Sequence, residues 1–454
     1  MQKYKFLKIL IFLLSIITGY FLINSAIGDG KYLGDLKKLF NAEQRQLIKT
    51  YLFPYKVISE QKKKLDFFIP LSAELEILIK EQGSDIKVIA GNIIELSDKK
   101  NLKKYKLNSG FHLGIANINP GSAYIDFHKN NIFIVSSRGV LAFKKNINDD
   151  KIDFKQIKNN INDFIGLKQF KKSQTNSIKD LLIYKDKIYI SYTDEIKQDC
   201  WNTSIIFGNI NFENIKFEKF FTSQKCINSI NTIDNELFNS MSGGGRMVPF
   251  DDNHILFSIG DYLHSYLAQD IENDNGKIIK ININNYDHKI ISIGHRNPQG
   301  LYFDDENNFV ISTEHGPMGG DEINLIEVDQ INTNKILNYG WPISSYGEHY
   351  VGNQEKYIKY PLHKSHSKYG FIEPLTYFTP AIGISEIVKI GKNKYVASSL
   401  KYKSLYFFEL NNKKTIINLK KTQVFERVRD LKFYNDKLYL FMEDSASIGI
   451  VYLN

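Results

Sequence analysis

The densest chemistry in the chain lies in residues 294–342, GHRNPQGLYFDDENNFVISTEHGPMGGDEINLIEVDQINTNKILNYGWP. Arg296 is a planar fork of donors suited to a carboxylate or a phosphate. Asn297 and Gln299 place neutral donors and acceptors beside it. Gly316-Pro317 is a turn that presents carbonyls outward, because proline has no N–H and glycine folds tightly. Two such carbonyls with the nearby Glu322 are the hard oxygen donors that Ca²⁺ prefers. Taken singly, these residues also read as turn formers, with Arg296 paired to Asp321. Their density favours a shared site.

Other candidates stand outside this stretch. Residues 242–247 read SGGGRM, and their three glycines let a ligand approach the backbone closely. Asp261, at the end of the strand that follows, reads as a base, an orienting partner or a turn residue; His264 is close by. Arg427 and Arg429 are two apart and share one face of a strand. With Lys401, at another strand end, they either converge on a polyanionic ligand or form solvated faces. His363 and His366 sit in a loop and read as exposed; no histidine pair has convincing metal-ligand spacing. Asn202-Thr203-Ser204 fits a glycosylation acceptor.

The elements that must position these groups are strands. Aromatic residues make up 13% of the 454-residue chain, and prolines number only ten, which favours β structure over a helical bundle. One hairpin signal, an alternating apolar strand preceded by a polar turn, recurs around Ile132, Ile188, Ile255, Phe309, Tyr395 and Leu438. Six copies predict an all-β fold, a six-bladed β-propeller; a pair of β-sandwiches is the rival arrangement. In a propeller, loops from distant segments meet at one mouth of a central channel. The net charge of +9 comes from dispersed lysines, so no nucleic-acid partner is read from it. Cys200 and Cys226 lack zinc spacing and are free to pair in an oxidising compartment.

Lys3, Lys5 and Lys8 precede an apolar run over residues 9–27, close to a bilayer span. The expected order is a cytoplasmic tip and transmembrane signal anchor (1–30), a helical juxtamembrane spacer (31–84) and the propeller (85–454). The protein is thus expected at the cell membrane, single-pass, with the propeller on the extracytoplasmic (periplasmic) side. A cleaved signal peptide is the alternative.

GHRNPQG, EHGPMGGDEINLIE and NYGWP together resemble the signature of the soluble glucose/sorbosone dehydrogenases, including the aldose sugar dehydrogenases that use pyrroloquinoline quinone (PQQ). The resemblance covers roughly residues 110–454. It implies a six-bladed propeller that oxidises a sugar by hydride transfer to PQQ, with Ca²⁺ as Lewis acid and a respiratory electron acceptor. It implies cofactor contacts at Arg296, Asn297, Gln299, Lys401, Arg427 and Arg429. It also implies Ca²⁺ on the Gly316 and Pro317 carbonyls and a further, structural Ca²⁺ associated with Glu322 and Tyr339. Asp261 matches a carboxylate that orients the family's catalytic histidine. At the histidine's own position the chain has Ser242, four residues before Arg246, and the first blade reads Ser136-Ser137-Arg138 where the family has Thr-Glu-Arg. The resulting expectation is a catalytic group of Ser242, Asp261 and Arg296. The alternative is a non-catalytic propeller that binds a carbohydrate, a quinone or a protein partner.

Overall fold

The computed structural model describes residues 85–107, 122–145, 153–173, 175–230, 238–333, 335–350 and 354–453, with a few isolated positions before residue 65. The expected membrane anchor and spacer lie almost wholly outside these residues. No helix of the described residues is long and apolar enough to cross a membrane.

The fold is an all-β six-bladed propeller. Its innermost strands, which define blades 1 to 6, are Ala123–His128, Ile178–Tyr184, Gly244–Asp251, Pro298–Asp304, Ile384–Gly391 and Val428–Tyr434. Each packs against the next, and the sixth against the first, which closes the ring. Their hairpin partners are Asn131–Ser136, Lys187–Lys197, His254–Ile259, Phe309–Glu314, Lys394–Ser399 and Lys437–Met442. Every recurrent hairpin seen in the sequence falls at one of these six turns. The strand Phe309–Glu314 is buried throughout because it lies between neighbouring sheets, whereas the outer strand Ile416–Gln423 of blade 5 is mostly exposed. The core therefore sits between blades. Ile311 and Ile323 of blade 4, for example, pack with Ile384, Tyr395 and Ala397 of blade 5.

Blade 6 is composite. Asn101–Leu107 pairs antiparallel with Ser447–Tyr452, and Val88–Glu95 adds outside it, so the start of the propeller completes the sheet begun by its end. Cys200 and Cys226 are joined in a disulfide within blade 2. Asn202, in the sequence that fits a glycosylation acceptor, is buried and hydrogen-bonded to Asn275 and to the Lys225 carbonyl.

Charge fills the axis. Arg246 Nη1 lies 2.7 Å from Asp180 Oδ1, 2.9 Å from Glu386 Oε2 and 2.8 Å from Asp430 Oδ1. Its Nε donates to the Gln299 carbonyl at 2.9 Å. The other oxygen of Asp430 accepts from Ile125 N–H at 2.7 Å. One buried guanidinium on blade 3 thus links blades 2, 4, 5 and 6, and Asp430 extends the link to blade 1. Burial pushes Glu386 up to about 7 despite the opposing charge of Arg246.

Candidate functional site

In an antiparallel hairpin, the start of the first strand and the end of the second lie at the same end. Ser242, Arg296, Asn297 and Arg427 precede or begin inner strands. Asp261, His315, Lys401 and Glu443 follow second strands. The sequence candidates therefore gather at one mouth of the propeller.

Ser242 and Asp261 form a buried pair, with Ser242 Oγ donating to Asp261 Oδ1 at 2.8 Å. Leu263 N–H donates to the same oxygen at 2.8 Å, and Trp341 Nε1 donates to Oδ2 at 2.9 Å. Burial raises the pKa of Asp261, and the positive charge of Arg296 opposes that rise. With its own hydrogen directed to Asp261, Ser242 Oγ keeps its lone pairs for another donor. His264 is buried beside this pair, with its backbone N–H on the Asp261 carbonyl at 2.8 Å, but its ring does not join it. Its Nδ1 lies 3.2 Å from the Tyr262 carbonyl, while Nε2 has no hydrogen-bond partner among the described residues. Burial lowers the pKa of His264 and favours the neutral ring.

Arg296 Nη1 donates to the carbonyls of His315 and Gly316 at 3.1 and 2.7 Å. Its guanidinium lies 5.6 Å from the ring centroid of Trp341 and 5.8 Å from that of Tyr350. Asp321 is not its partner. That carboxylate accepts from the N–H groups of Gly316 at 3.1 Å, Gly383 at 2.7 Å and Ile384 at 3.0 Å, and so pins the turn. A Cβ on Gly316 would lie 2.2 Å from the Gly320 carbonyl oxygen, so only glycine lets the turn close.

Asn297 is a tie between blades. Its Oδ1 accepts from Gly244 N–H at 3.1 Å and from Gln299 Nε2 at 2.9 Å, while its Nδ2 donates to the Met241 carbonyl at 3.2 Å. Gln299 Oε1 in turn accepts from Arg429 Nη1 at 3.2 Å. Arg429 and Arg427 both donate through Nε to Glu443, at 2.7 and 3.0 Å. Lys401 is exposed, with its ammonium 5.7 Å from the Tyr402 ring centroid.

His315, which the sequence reading passes over, sits where these cations act together. Burial holds its imidazole down to about 4; Asp321 opposes this, and Arg296, Arg429 and Arg427 reinforce it. Arg427 and Arg429 share Glu443, and Arg429 reaches Gln299, which holds Asn297 beside Arg296, so one chain of contacts links the three arginines at this mouth. Glu443 binds two of these arginines, and Asp261 and Asp321 carry further negative charge close by. The signal for His315 was its place between a strand end and the Gly316-Pro317 turn. Glu443 and Trp341 gave no separate signal, because their roles depend on long-range contacts.

The two expected metal positions differ. The Gly316 carbonyl accepts from Arg296 Nη1 at 2.7 Å and keeps a second lone pair, a hard oxygen donor of the kind Ca²⁺ takes. Glu322 and Tyr339 do not fit one. The Tyr339 carbonyl meets His366 Nδ1 at 2.8 Å, and Glu322 Oε1 lies 3.4 Å from His366 Nε2. His366 is 1% exposed, which corrects the expectation of a surface loop histidine. Among the described residues, no group of three or more His, Cys, Asp or Glu is arranged to hold a metal ion.

Residues 179–451 match the Glucose / Sorbosone dehydrogenase family model. The chain belongs to the glucose/sorbosone dehydrogenase family. Aldose sugar dehydrogenase YliI of Escherichia coli is 24% identical over 282 residues, covering 58% of this chain and 71% of that protein. Quinoprotein glucose dehydrogenase B of Acinetobacter calcoaceticus is 32% identical over 128 residues, covering 22% and 25%. The chain spans about half the length of the curated relatives it matches, from 25% to 71%. The crystal structure of the soluble aldose sugar dehydrogenase from Escherichia coli in its apo form superposes with a TM-score of 0.56 at 17% identity, covering 81% of this chain and all of that one. For this member of the glucose/sorbosone dehydrogenase family, that likeness establishes the propeller.

Proposed function

We propose that the protein oxidises an aldose or related sugar alcohol by hydride transfer to bound PQQ. The observation that carries the reading is the placing of three guanidinium groups at one mouth: Arg296 on the His315 and Gly316 carbonyls, Arg427 and Arg429 on Glu443, and Arg429 also on Gln299. The name of the Acinetobacter relative, a quinoprotein, agrees with it. Arg296, Asn297, Gln299, Lys401, Arg427 and Arg429 would hold the cofactor, and the Gly316 and Pro317 carbonyls would hold its Ca²⁺. When bound, the quinone supplies the hydride acceptor and the ion polarises it.

The chain's own part is to orient the sugar and take its hydroxyl proton. A serine hydroxyl is a poor base near neutral pH, but Ser242 already donates to Asp261 at 2.8 Å. A substrate hydroxyl that donates to Ser242 Oγ passes its proton there as Ser242 releases its own to Asp261 Oδ1. Burial raises the pKa of Asp261 and so makes it a better acceptor than a solvated carboxylate. Trp341 Nε1 and Leu263 N–H hold that carboxylate in place.

Ser242 also motivates a second reading, a propeller that binds a carbohydrate, a quinone or a protein partner without turnover. Sugar-dependent dye reduction with PQQ and Ca²⁺ separates the two. The dehydrogenase reading expects turnover in the wild type that falls about 10²-fold or more in Ser242→Ala. Activity confined to Ser242→His supports the binding reading instead.

We further propose the three-part order given above: an anchor at 1–30, a spacer at 31–84 and an extracytoplasmic propeller at 85–454 that passes electrons to a respiratory acceptor. The lysines before the apolar run and the Cys200–Cys226 disulfide support this placement. Release of the propeller from membranes by alkaline carbonate would count against the anchor.

A further inference from the structure

Glu322 and Tyr339, expected to share a structural ion, meet around a side chain. The His366 ring lies between the Tyr339 carbonyl, at 2.8 Å from Nδ1, and Glu322 Oε1, at 3.4 Å from Nε2. Glu322 is 3% exposed, Tyr339 1% and His366 1%, so all three are shielded from bulk solvent. The Tyr346 ring stacks on the imidazole with centroids 5.4 Å apart. Gly340, at φ +92°, passes so close that a Cβ there would lie 3.1 Å from Nδ1. The pocket around the ring is therefore shaped to it. Glu314, directly across the sheet from Glu322, has an imidazole of its own, with His295 Nδ1 at 2.8 Å from Oε2. Glu373, which also acts on His366, is held by Tyr346 Oη and by Ser367.

We propose that His366 is a built-in replacement for a structural cation, and that the Glu322–Tyr339 pair takes no metal ion in this chain. Ca²⁺ needs about six to eight oxygens at about 2.3–2.6 Å. Here the inward face of the carbonyl is taken by an N–H and the carboxylate faces a ring nitrogen. His366 Nε2 makes no hydrogen bond among the described residues; at 3.4 Å from Glu322 Oε1 its ring, when protonated, offsets the buried carboxylate, whose other oxygen accepts from Asn324 Nδ2 at 3.3 Å. The ring also does mechanically what an ion would do. It ties the blade 4 strand Asp321–Glu327 to the turn at residues 338–340 and to the loop that carries His366. This inference stands whether or not the protein oxidises a sugar.

The test uses the full chain and reads metal content and melting temperature. Bound Ca²⁺ is counted by equilibrium dialysis in the wild type and in Glu322→Gln, which leaves any ion at the Gly316 turn in both. Equal stoichiometry supports the proposal; one ion fewer in Glu322→Gln overturns it. Removing the ring should open the position. His366→Ala is expected to melt several degrees lower in chelator and to recover in millimolar Ca²⁺, and that recovery should be lost in His366→Ala combined with Glu322→Gln. A His366→Ala defect indifferent to Ca²⁺ overturns the idea that the ring stands in an ion's place. If His366→Ala does not fold, the dialysis comparison alone decides.

Discussion

Replacing Arg246 by methionine tests whether the axial charge cluster holds the floor of the site. Methionine keeps much of the volume and removes the guanidinium. Asp180, Glu386 and Asp430, at 2.7–2.9 Å, then lose their shared partner. Removing one partner of a buried ion pair costs about 3–5 kcal/mol. An unfolding entropy of about 2.1 cal/mol/K per residue, over a propeller of roughly 370 residues, gives about 0.8 kcal/mol/K, so Tm should fall by about 4–6 °C. The loss should also depend on pH. Burial already lifts Glu386 to about 7, and without Arg246 its pKa and that of Asp180 rise further. Carboxylates with raised folded pKa values bind more protons folded than unfolded, so the variant gains stability as pH falls through that range. Scanning calorimetry should find a deficit that is largest near about pH 8 and smaller near about pH 5. A variant that melts with the wild type at the higher pH, or a deficit that does not narrow on acidification, would refute the reasoning.

Three further outcomes are expected. Asp261→Asn keeps the size of the side chain but cannot take the proton from Ser242, so turnover should fall by about 10²–10⁴-fold while quinone affinity measured by fluorescence titration stays close to that of the wild type. Cys200→Ser opens a cross-link that spans 26 residues, which the chain-entropy model values at about 3.5 kcal/mol, so Tm should drop by about 4–5 °C in calorimetry. Deleting residues 1–107 removes the two outer strands of blade 6 and leaves Ser447–Tyr452 as an open edge; size-exclusion chromatography should show aggregates instead of a monodisperse peak.

Blade hairpins were legible because their signal is local. Around Ile132 and Phe309, apolar residues alternate across a short polar turn, and that pattern needs no knowledge of distant contacts. The closure of blade 6 was not legible, since Asn101–Leu107 finds Ser447–Tyr452 from the far end of the chain. Arg296 and Asn297 stood out by their density of donors. The choice between a free Arg296 and one paired to Asp321 needed the structure, because Asp321 is drawn away by the backbone of Gly383 and Ile384. His366 misled for the same kind of reason. Its neighbours in sequence are polar and loop-like, and its burial comes from Glu322 and Tyr339, which reach it across the fold. Arg246 was visible as the end of a glycine run, but its place at the axis depends on carboxylates from three other blades.

The central claim is that the cationic mouth binds PQQ. Titrating the full chain with PQQ, with and without Ca²⁺, and repeating the titration with Arg427→Ala and Arg429→Ala, tests it most directly. Saturable binding that strengthens with Ca²⁺ and weakens about tenfold or more in each variant is the expected result, since each removes a charge-assisted contact. Absence of saturable binding in the wild type, or binding indifferent to both arginines, would contradict the claim.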